Sequence, residues 1–425
     1  MISQPSINSK IAIIGLGYVG LPLAIEFGKY RDVVGFDVSE SRICELRKGL
    51  DSTLEVTGVE LREAVNLSFS MDIEKLRDCG IYIVTVPTPI DCDNIPDLNP
   101  LRKACETVAT TLKKGDVVIF ESTVFPGCTE EVCVPDLERV SSLQYNLDFF
   151  CGYSPERINP GDKVNTIKTI VKITSGSTPE ISLLVDELYS QIVDAGTYRA
   201  SSIKVAEAAK IIENVQRDVN IALVNEIAII FNKLDIDTSE VIAAAASKWN
   251  FAKYYPGFVG GHCVSVDPYY LIHRSSKAAY VPDLMTKARE INNFMTDFVA
   301  NIFEEKMQKK GSQALEVLVL GLTFKEGCSD LRNSKAFDFL DALKAKGMGI
   351  DTYDPWVRQS LFEKDDRINQ LNEIEKKKYD GVIILVAHNE FKDLGASFFR
   401  DLCKDDGVFF DMKSMFPVDQ SDLRI

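Results

Sequence analysis

At 425 residues the chain is too long for one ordinary hydrophobic core, so two or three domains are expected. Its composition, 45% hydrophobic and 26% charged, is that of a soluble globular protein. A formal charge of -15 argues against a nucleic-acid partner, which needs a basic face, but leaves room for one small anionic ligand held by a few local cations.

The opening MISQPSINSK lacks the basic and then apolar run of a signal peptide. The stretch IAIIGLGYVGLPLAI is too short to cross a membrane, and its glycines and Pro22 break it. Five Val/Ile-rich runs follow one another in the first 200 residues: 11–17, 33–38, 80–87, 116–123 and 171–176. Separated by helical patterns, they predict buried parallel strands of a doubly wound α/β sheet. From 202 to 234 there is no Pro or Gly, and apolar residues recur at helical spacing (Val205, Ala208, Ile212, Val215, Val219, Ala222). A helix of that span is roughly 48 Å long, too long for one small domain to pack, and so bridges two. Further helical pattern reaches about residue 247, the loop YYPGFVGGHC intervenes, and helices resume to about 310. Four more strand-like runs, at 315–324, 349–355, 379–388 and 407–412, restore α/β alternation. The expected division is 1–200, 201–310 and 311–425.

Ten cysteines with no CxxC pair and no regular framework suit reduced thiols in a cytoplasmic enzyme. Three histidines without ligand spacing argue against zinc, and no metal site is expected.

Residues 15–20 read GLGYVG, after a strand and before a helix, with Asp37 ending the next strand. In that context Gly15 permits the tight turn, Gly17 lets backbone approach a pyrophosphate, and Gly20 allows close helix–sheet packing. The helix N-terminus offers N–H groups and partial positive charge to phosphate. Asp37 suits ribose hydroxyls and disfavours a 2′-phosphate, which points to NAD, although Arg42 nearby is able to neutralise such a phosphate. Thr88 in VPTP and Thr123 in ESTVFPG fall at the carboxyl edge of the sheet, where ligands of such sheets bind. Equally, either hydroxyl fits a helix cap.

Cys263 follows a glycine pair (Gly260, Gly261) and precedes Asp267 by four residues. Uncrowded by the glycines, its thiol reads as a nucleophile, or else as one buried cysteine among ten. Lys210 and Asn214 share a helix face at i, i+4, with Arg217 a turn further on. That face is either functional or a solvated stripe. His262 reads as structural.

The ordered motifs GLGYVGLP, VPTP, ESTVFPG, SPERINPG, EAAKIIEN, GGHCVSVDPYYL and GLTFKEGCSDLRNS resemble the UDP-sugar 6-dehydrogenase family over nearly the whole chain. GGHC followed by VDPYYL is similar to its N-acetylhexosamine branch, including enzymes for Vi-type capsule and O-antigen sugars. The resemblance implies two Rossmann-like doubly wound domains joined by a central helical domain whose long helix forms a homodimer core. It implies NAD in the first domain and a UDP-N-acetylhexosamine, most closely UDP-GlcNAc, bound largely through the last. By motif, Cys263 would be the nucleophile and Lys210 the general acid/base. Asn214 and Asp267 would stabilise oxyanions and position water, and Glu156 would be a base for hydrolysis. Arg157, Lys210, Asn214, Arg217, Gly260, Phe324 and Lys325 would contact substrate. Gly15, Gly17, Tyr18, Val19, Gly20, Asp37, Arg42, Thr88, Thr123 and Arg332 would line the cofactor. Ser265 stands where relatives commonly have proline, which leaves the shape of the loop open, and SKWNF (247–251) lacks basic residues that many relatives carry there.

Such chemistry takes an alcohol to an acid in two hydride transfers, through a thiohemiacetal and a thioester on Cys263. UDP-glucose as substrate, a single-step NAD-dependent hydroxy-acid dehydrogenase and an NAD-binding sensor without chemistry are the alternatives.

Overall fold

The computed structural model describes residues 6–158, 164–308, 315–357, 369–374 and 379–425. The chain divides into two compact units, one of residues 1–213 and 269–280, the other of 214–268 and 281–425. The helix Ile203–Leu234, 32 residues long, carries the division within its own length. Its bounds match the uninterrupted 202–234 pattern, because no Pro or Gly interrupts the backbone ladder. Among the described residues no helix is long and apolar enough to cross a membrane, and none of the ten cysteines is in a disulfide.

The first unit holds a six-stranded parallel sheet: β1 (Lys10–Ile14), β2 (Val33–Phe36), β3 (Leu67–Ser70), β4 (Cys79–Val84), β5 (Asp116–Phe120) and β6 (Phe149–Tyr153). Their order is β3-β2-β1-β4-β5-β6, that of a dinucleotide-binding sheet, with the switch in direction between β1 and β4. Ile11, Ile13, Ile81, Ile83, Val117 and Ile119 form one face, packed against Leu21, Ala24, Val185 and Leu188. Strands covered on both faces are apolar at every position, which is why these runs stand out in the sequence.

The run at 171–176 departs from expectation. It forms β7 (Lys172–Thr174), which pairs with β8 (Thr197–Arg199) in a separate two-stranded parallel sheet. An antiparallel bridge between Gly152 and Gly176 and a hydrogen bond from the Ser175 hydroxyl to the Tyr153 carbonyl (2.7 Å) attach it to β6, but it forms no ladder there, and the main sheet takes FFCGY (149–153) as its last strand instead.

The second unit holds β9 (Glu316–Leu320), β10 (Gly349–Tyr353), β11 (Tyr379–Ile384) and β12 (Cys403–Asp411), parallel in the order β10-β9-β11-β12. Alternate residues face opposite ways. Val317, Val319, Ile383 and Phe410 pack with Phe303 and Phe339 on one side. Leu318, Leu320, Ile384 and Phe409 pack with Phe391 and Phe399 on the other. Helix Asp283–Gln308 is tied to the long helix by buried polar pairs. Arg289 donates to Asp218 at 2.6 Å, and the Asn292 amide donates to the same carboxylate at 2.7 Å.

Candidate functional site

In the first unit, the glycine turn, VPTP, ESTVFPG and SPER follow β1, β4, β5 and β6, so all four motifs gather at the carboxyl edge of one sheet. Gly15 has φ +97°, a conformation that favours glycine. A Cβ on Gly20 would overlap the Gly15 carbonyl oxygen and the Thr85 hydroxyl, whereas one on Gly17 would meet nothing within 4 Å. One glycine therefore serves packing and the other leaves space for a ligand. The turn is fixed from below: the Thr85 hydroxyl donates to the Gly15 carbonyl at 2.7 Å. Asp37 accepts the Leu16 N–H at 2.8 Å and the Ser39 N–H at 2.9 Å, which braces it beside the turn with lone pairs to spare. Arg42 reaches back to the Leu16 carbonyl at 2.8 Å and pairs with Glu45 and with Asp51 (2.8 Å). Those carboxylates already compensate its charge, which removes the reason to expect it to favour a 2′-phosphate. The turn, the open space at Gly17 and the Asp37 carboxylate fit a dinucleotide with a free ribose 2′-hydroxyl.

The capping alternative for the threonines does not hold. Helix Asn99–Ala109 has Leu98 at its N-cap, and the helical turn Thr129–Cys133 has Cys128. The Thr88 hydroxyl instead donates to the Thr123 carbonyl at 2.7 Å, joining the two motifs, and Tyr270 donates to the Thr88 carbonyl at 2.8 Å. Tyr18 and Val19 lie in the turn before helix Gly20–Gly28.

Glu156 is almost fully buried. One of its oxygens accepts the Arg157 and Ile158 N–H groups, both at 2.6 Å, and the other lies 3.4 Å from Lys172 Nζ. Lys172 also pairs with Glu121 at 2.7 Å, and Tyr189 donates to Glu121. Burial pushes the Glu121 carboxyl up, against the pull of Lys172. Neither Glu121 nor Lys172 was singled out in the sequence. Arg157 donates to the Val171 carbonyl (2.8 Å) and pairs with Glu213 at 2.7 Å.

Along the long helix, Glu207, Lys210, Asn214 and Asp218 are all buried, so their stripe is not a solvated surface; Arg217 alone of the predicted set on this helix is exposed. In the second unit Asn214 donates to Asp267 at 2.5 Å, which leaves its second amide hydrogen for another acceptor. Asp267 opens helix Asp267–Lys277, and the Cys263 carbonyl accepts the Val266 and Asp267 N–H groups at 3.0 and 2.8 Å. Cys263 is half-buried.

The loop before it is pinned at several points. Asn225 brackets Gly257, donating to its carbonyl at 3.1 Å and accepting its N–H at 2.8 Å. A Cβ on Gly260 would lie 2.6 Å from the Asn333 carbonyl oxygen, and one on Gly261, at φ +86°, 2.8 Å from the Phe324 ring. The glycine pair is thus required by close approach to 324 and 333. Ser265, in the position that left the loop's shape open, donates to the Gly261 carbonyl at 2.6 Å and closes the turn itself. His262 stands edge-on to Phe324 and 3.6 Å from Asp330, which also holds Arg332 at 2.8 Å. Burial lowers the His262 pKa, with Arg332 adding to the fall and Asp330 opposing it.

Phe324 and Lys325 line a cavity together with Gly260, Ser334, Lys335 and Lys413. Burial lowers the Lys413 pKa, opposed by Glu326. Lys335 and Lys413 were not singled out in the sequence, since no motif marks their role. Beneath the cavity His388 Nε2 lies 3.2 Å from the Asp354 carboxylate, which also accepts the Leu322 and Thr323 N–H groups and fixes the turn after β9.

Comparison with known proteins decides the lineage. Residues 9–193 match the NAD binding domain of the UDP-glucose/GDP-mannose dehydrogenase family, 204–294 its central domain and 318–418 its UDP binding domain. The chain belongs to the UDP-glucose/GDP-mannose dehydrogenase family. Its cofactor is NAD, and its reaction is the dehydrogenation of a nucleotide sugar. Within the family it is 54% identical over 418 residues to the UDP-N-acetyl-D-glucosamine 6-dehydrogenase of Salmonella typhi, covering 98% of each chain. It is 53% identical to the enzyme of that name from Pseudomonas aeruginosa, covering 98% of this chain and 99% of the relative. Among solved structures, the UDP-D-ManNAc dehydrogenase of Pyrococcus horikoshii superimposes with a TM-score of 0.88 at 31% identity over 98% of both chains.

Proposed function

We propose that this dehydrogenase oxidises the C6 alcohol of UDP-N-acetylglucosamine to the carboxylate, consuming two NAD and one water per sugar. The observation that carries the substrate is the full-length identity of more than half with two relatives that bear the name of that reaction. NAD, when bound, accepts the two hydrides. The chain's own residues do the rest. Lys210 takes the C6 hydroxyl proton, and the Cys263 thiol adds to the aldehyde as a thiohemiacetal, whose oxidation leaves a thioester. Asn214, held by Asp267, directs its remaining N–H at the developing oxyanion, an effect worth several kcal/mol when a donor is preorganised. Water, positioned by Asp267 and activated by Glu156, cleaves the thioester and returns the thiol. Arg157, Arg217, Gly260, Phe324 and Lys325 bind the UDP-sugar. Gly15, Gly17, Tyr18, Val19, Gly20, Asp37, Arg42, Thr88, Thr123 and Arg332 line the cofactor.

The reading extends to three domains at 1–200, 201–310 and 311–425, and to a cytoplasmic homodimer that feeds synthesis of a surface polysaccharide such as a capsule or O-antigen. The dimer is supported by Val205, Ile212, Leu223, Ile230 and Leu234, each between 46% and 60% exposed and spaced at helical intervals along the long helix.

The test is NADH yield. UDP-GlcNAc should give two NADH per sugar, with UDP-GalNAc, UDP-ManNAc and UDP-glucose slower. Cys263→Ser should bind UDP-GlcNAc yet make no acid. One NADH per sugar, or acid formed by the serine variant, contradicts the thiol route.

A further inference from the structure

The loop that carries Thr123 has a buried anchor that the reaction scheme does not use. Glu207 sits on the long helix one turn before Lys210 and is 0% exposed. One carboxylate oxygen accepts the Gly127 N–H at 2.5 Å, and the other accepts the Thr129 N–H at 2.9 Å. These amides open the helical turn Thr129–Cys133, where backbone donors have no acceptor of their own. The neighbouring charges leave the anchor uncompensated. On its own helix stand Lys204 and Lys210; on the facing segment stand Glu130 and Glu131. Lys204 pairs with Glu131 at 3.4 Å, and Arg274 binds Glu131 at 2.6 Å, so both cations are taken up by the outer carboxylate. Among the described residues no ion pair reaches Glu207. Burial pushes its carboxyl up to about 7; the Thr129 side chain and the Thr129 and Gly127 amides oppose the rise, and Glu130 adds to it.

We propose that Glu207 is a positioning residue: its carboxylate ties the Thr123 loop to the helix that carries Lys210, and proton uptake there loosens the loop and slows turnover. Protonation converts one oxygen into a hydroxyl facing an N–H, so two accepted hydrogen bonds become one. Glutamine imitates that state, because it too offers one acceptor and one donor. The inference rests on the proposed placement of Thr123 at the cofactor.

The experiment is amide exchange of the full chain without substrate, followed over residues 122–133 between about pH 5.5 and 8.5 and corrected for intrinsic rates. In the wild type, protection should fall about tenfold toward acid, the equivalent of one charge-assisted hydrogen bond, with a midpoint near 7. Glu207→Gln should show the low value throughout. With UDP-GlcNAc its kcat should fall about tenfold at pH 8 while KM stays within about twofold, since the partners of Glu207 are loop amides and not substrate contacts. A flat wild-type profile, a variant that tracks the wild type, or an unchanged kcat overturns the proposal. Should the variant fail to fold, the wild-type exchange profile decides alone. Failure of the wild type to oxidise any UDP-sugar would sink the proposed function while leaving the exchange result readable.

Discussion

The glycine turn after β1 separates packing from binding at two residues three positions apart. Replacing Gly20 with alanine sets a Cβ into the Gly15 carbonyl oxygen and against the Thr85 hydroxyl. The obstacle is backbone and cannot rotate away. Overpacking of this kind costs about 1–3 kcal/mol. Displacing the Gly15 carbonyl also strains the 2.7 Å bond from Thr85, worth roughly 1 kcal/mol. Gly20→Ala should therefore lose about 2–4 kcal/mol and lower the melting temperature of the first unit by roughly 5–15 °C. Gly17→Ala meets nothing within 4 Å and should fold as well as the wild type. Reduced freedom of its unfolded chain would even add a few tenths of a kcal/mol, up to about 1. Its methyl group would fill the open space where the proposed site takes the pyrophosphate, so the Kd for NAD should rise roughly 10–100-fold, about 1.4–2.7 kcal/mol. Differential scanning calorimetry without cofactor and a fluorescence titration with NAD measure the two effects independently. Gly17→Ala binding NAD with wild-type affinity, or Gly20→Ala melting unchanged, would refute the division of labour.

Two further outcomes test the second unit and the long helix. Arg289→Met strands the buried Asp218 carboxylate and should cost about 3–5 kcal/mol in denaturant unfolding; the double change with Asp218→Leu should recover most of that loss, and no recovery would mean the pair is not the cause. Leu223→Lys, placed in the exposed apolar stripe, should raise the dissociation constant of the proposed dimer on the order of a hundredfold, about 2.7 kcal/mol, as read by sedimentation. An unshifted equilibrium, or a wild type that sediments as a monomer, would overturn the proposed interface.

How much of this was legible follows from what each signal depends on. Strands β1, β2, β4, β5, β9 and β11 are apolar at successive positions because helices cover both faces, and such runs need no knowledge of their neighbours. β3 is LSFS at the rim of the sheet, with mixed exposure, so its sequence carries only half a pattern. The run at 171–176 has the right composition but pairs with Thr197–Arg199, and composition does not choose a partner. The site divides the same way. Gly15, Gly17, Gly20 and Asp37 sit within one strand–turn–helix–strand unit, where spacing alone fixes geometry. Thr88 was ambiguous because its acceptor, the Thr123 carbonyl, lies 35 residues away.

The buried acids show where local reading stops. A glutamate in EAAKIIEN looks like any helix-favouring residue facing water, and a sequence window holds no hint that the Gly127 and Thr129 amides, 80 and 78 residues earlier, need an acceptor. Lys172 likewise looks like a strand-edge lysine until Glu121 and Glu156 are brought to it from two other strand ends. There was nonetheless one usable sign. Glu207, Lys210, Asn214 and Asp218 recur at spacings of three and four, the same period as the apolar stripe, and a helix that is polar along one line for three turns while its neighbours are buried must bury charge or face a ligand. Burial without compensation raises the energy of the charged form, so such a line persists in a folded protein only where each member has a partner. For three of the four, those partners are the Thr123 loop for Glu207, Asp267 for Asn214 and Arg289 for Asp218. The long helix thereby fixes the Thr123 loop in the first unit and, in the second, the aspartate that opens the helix after Cys263.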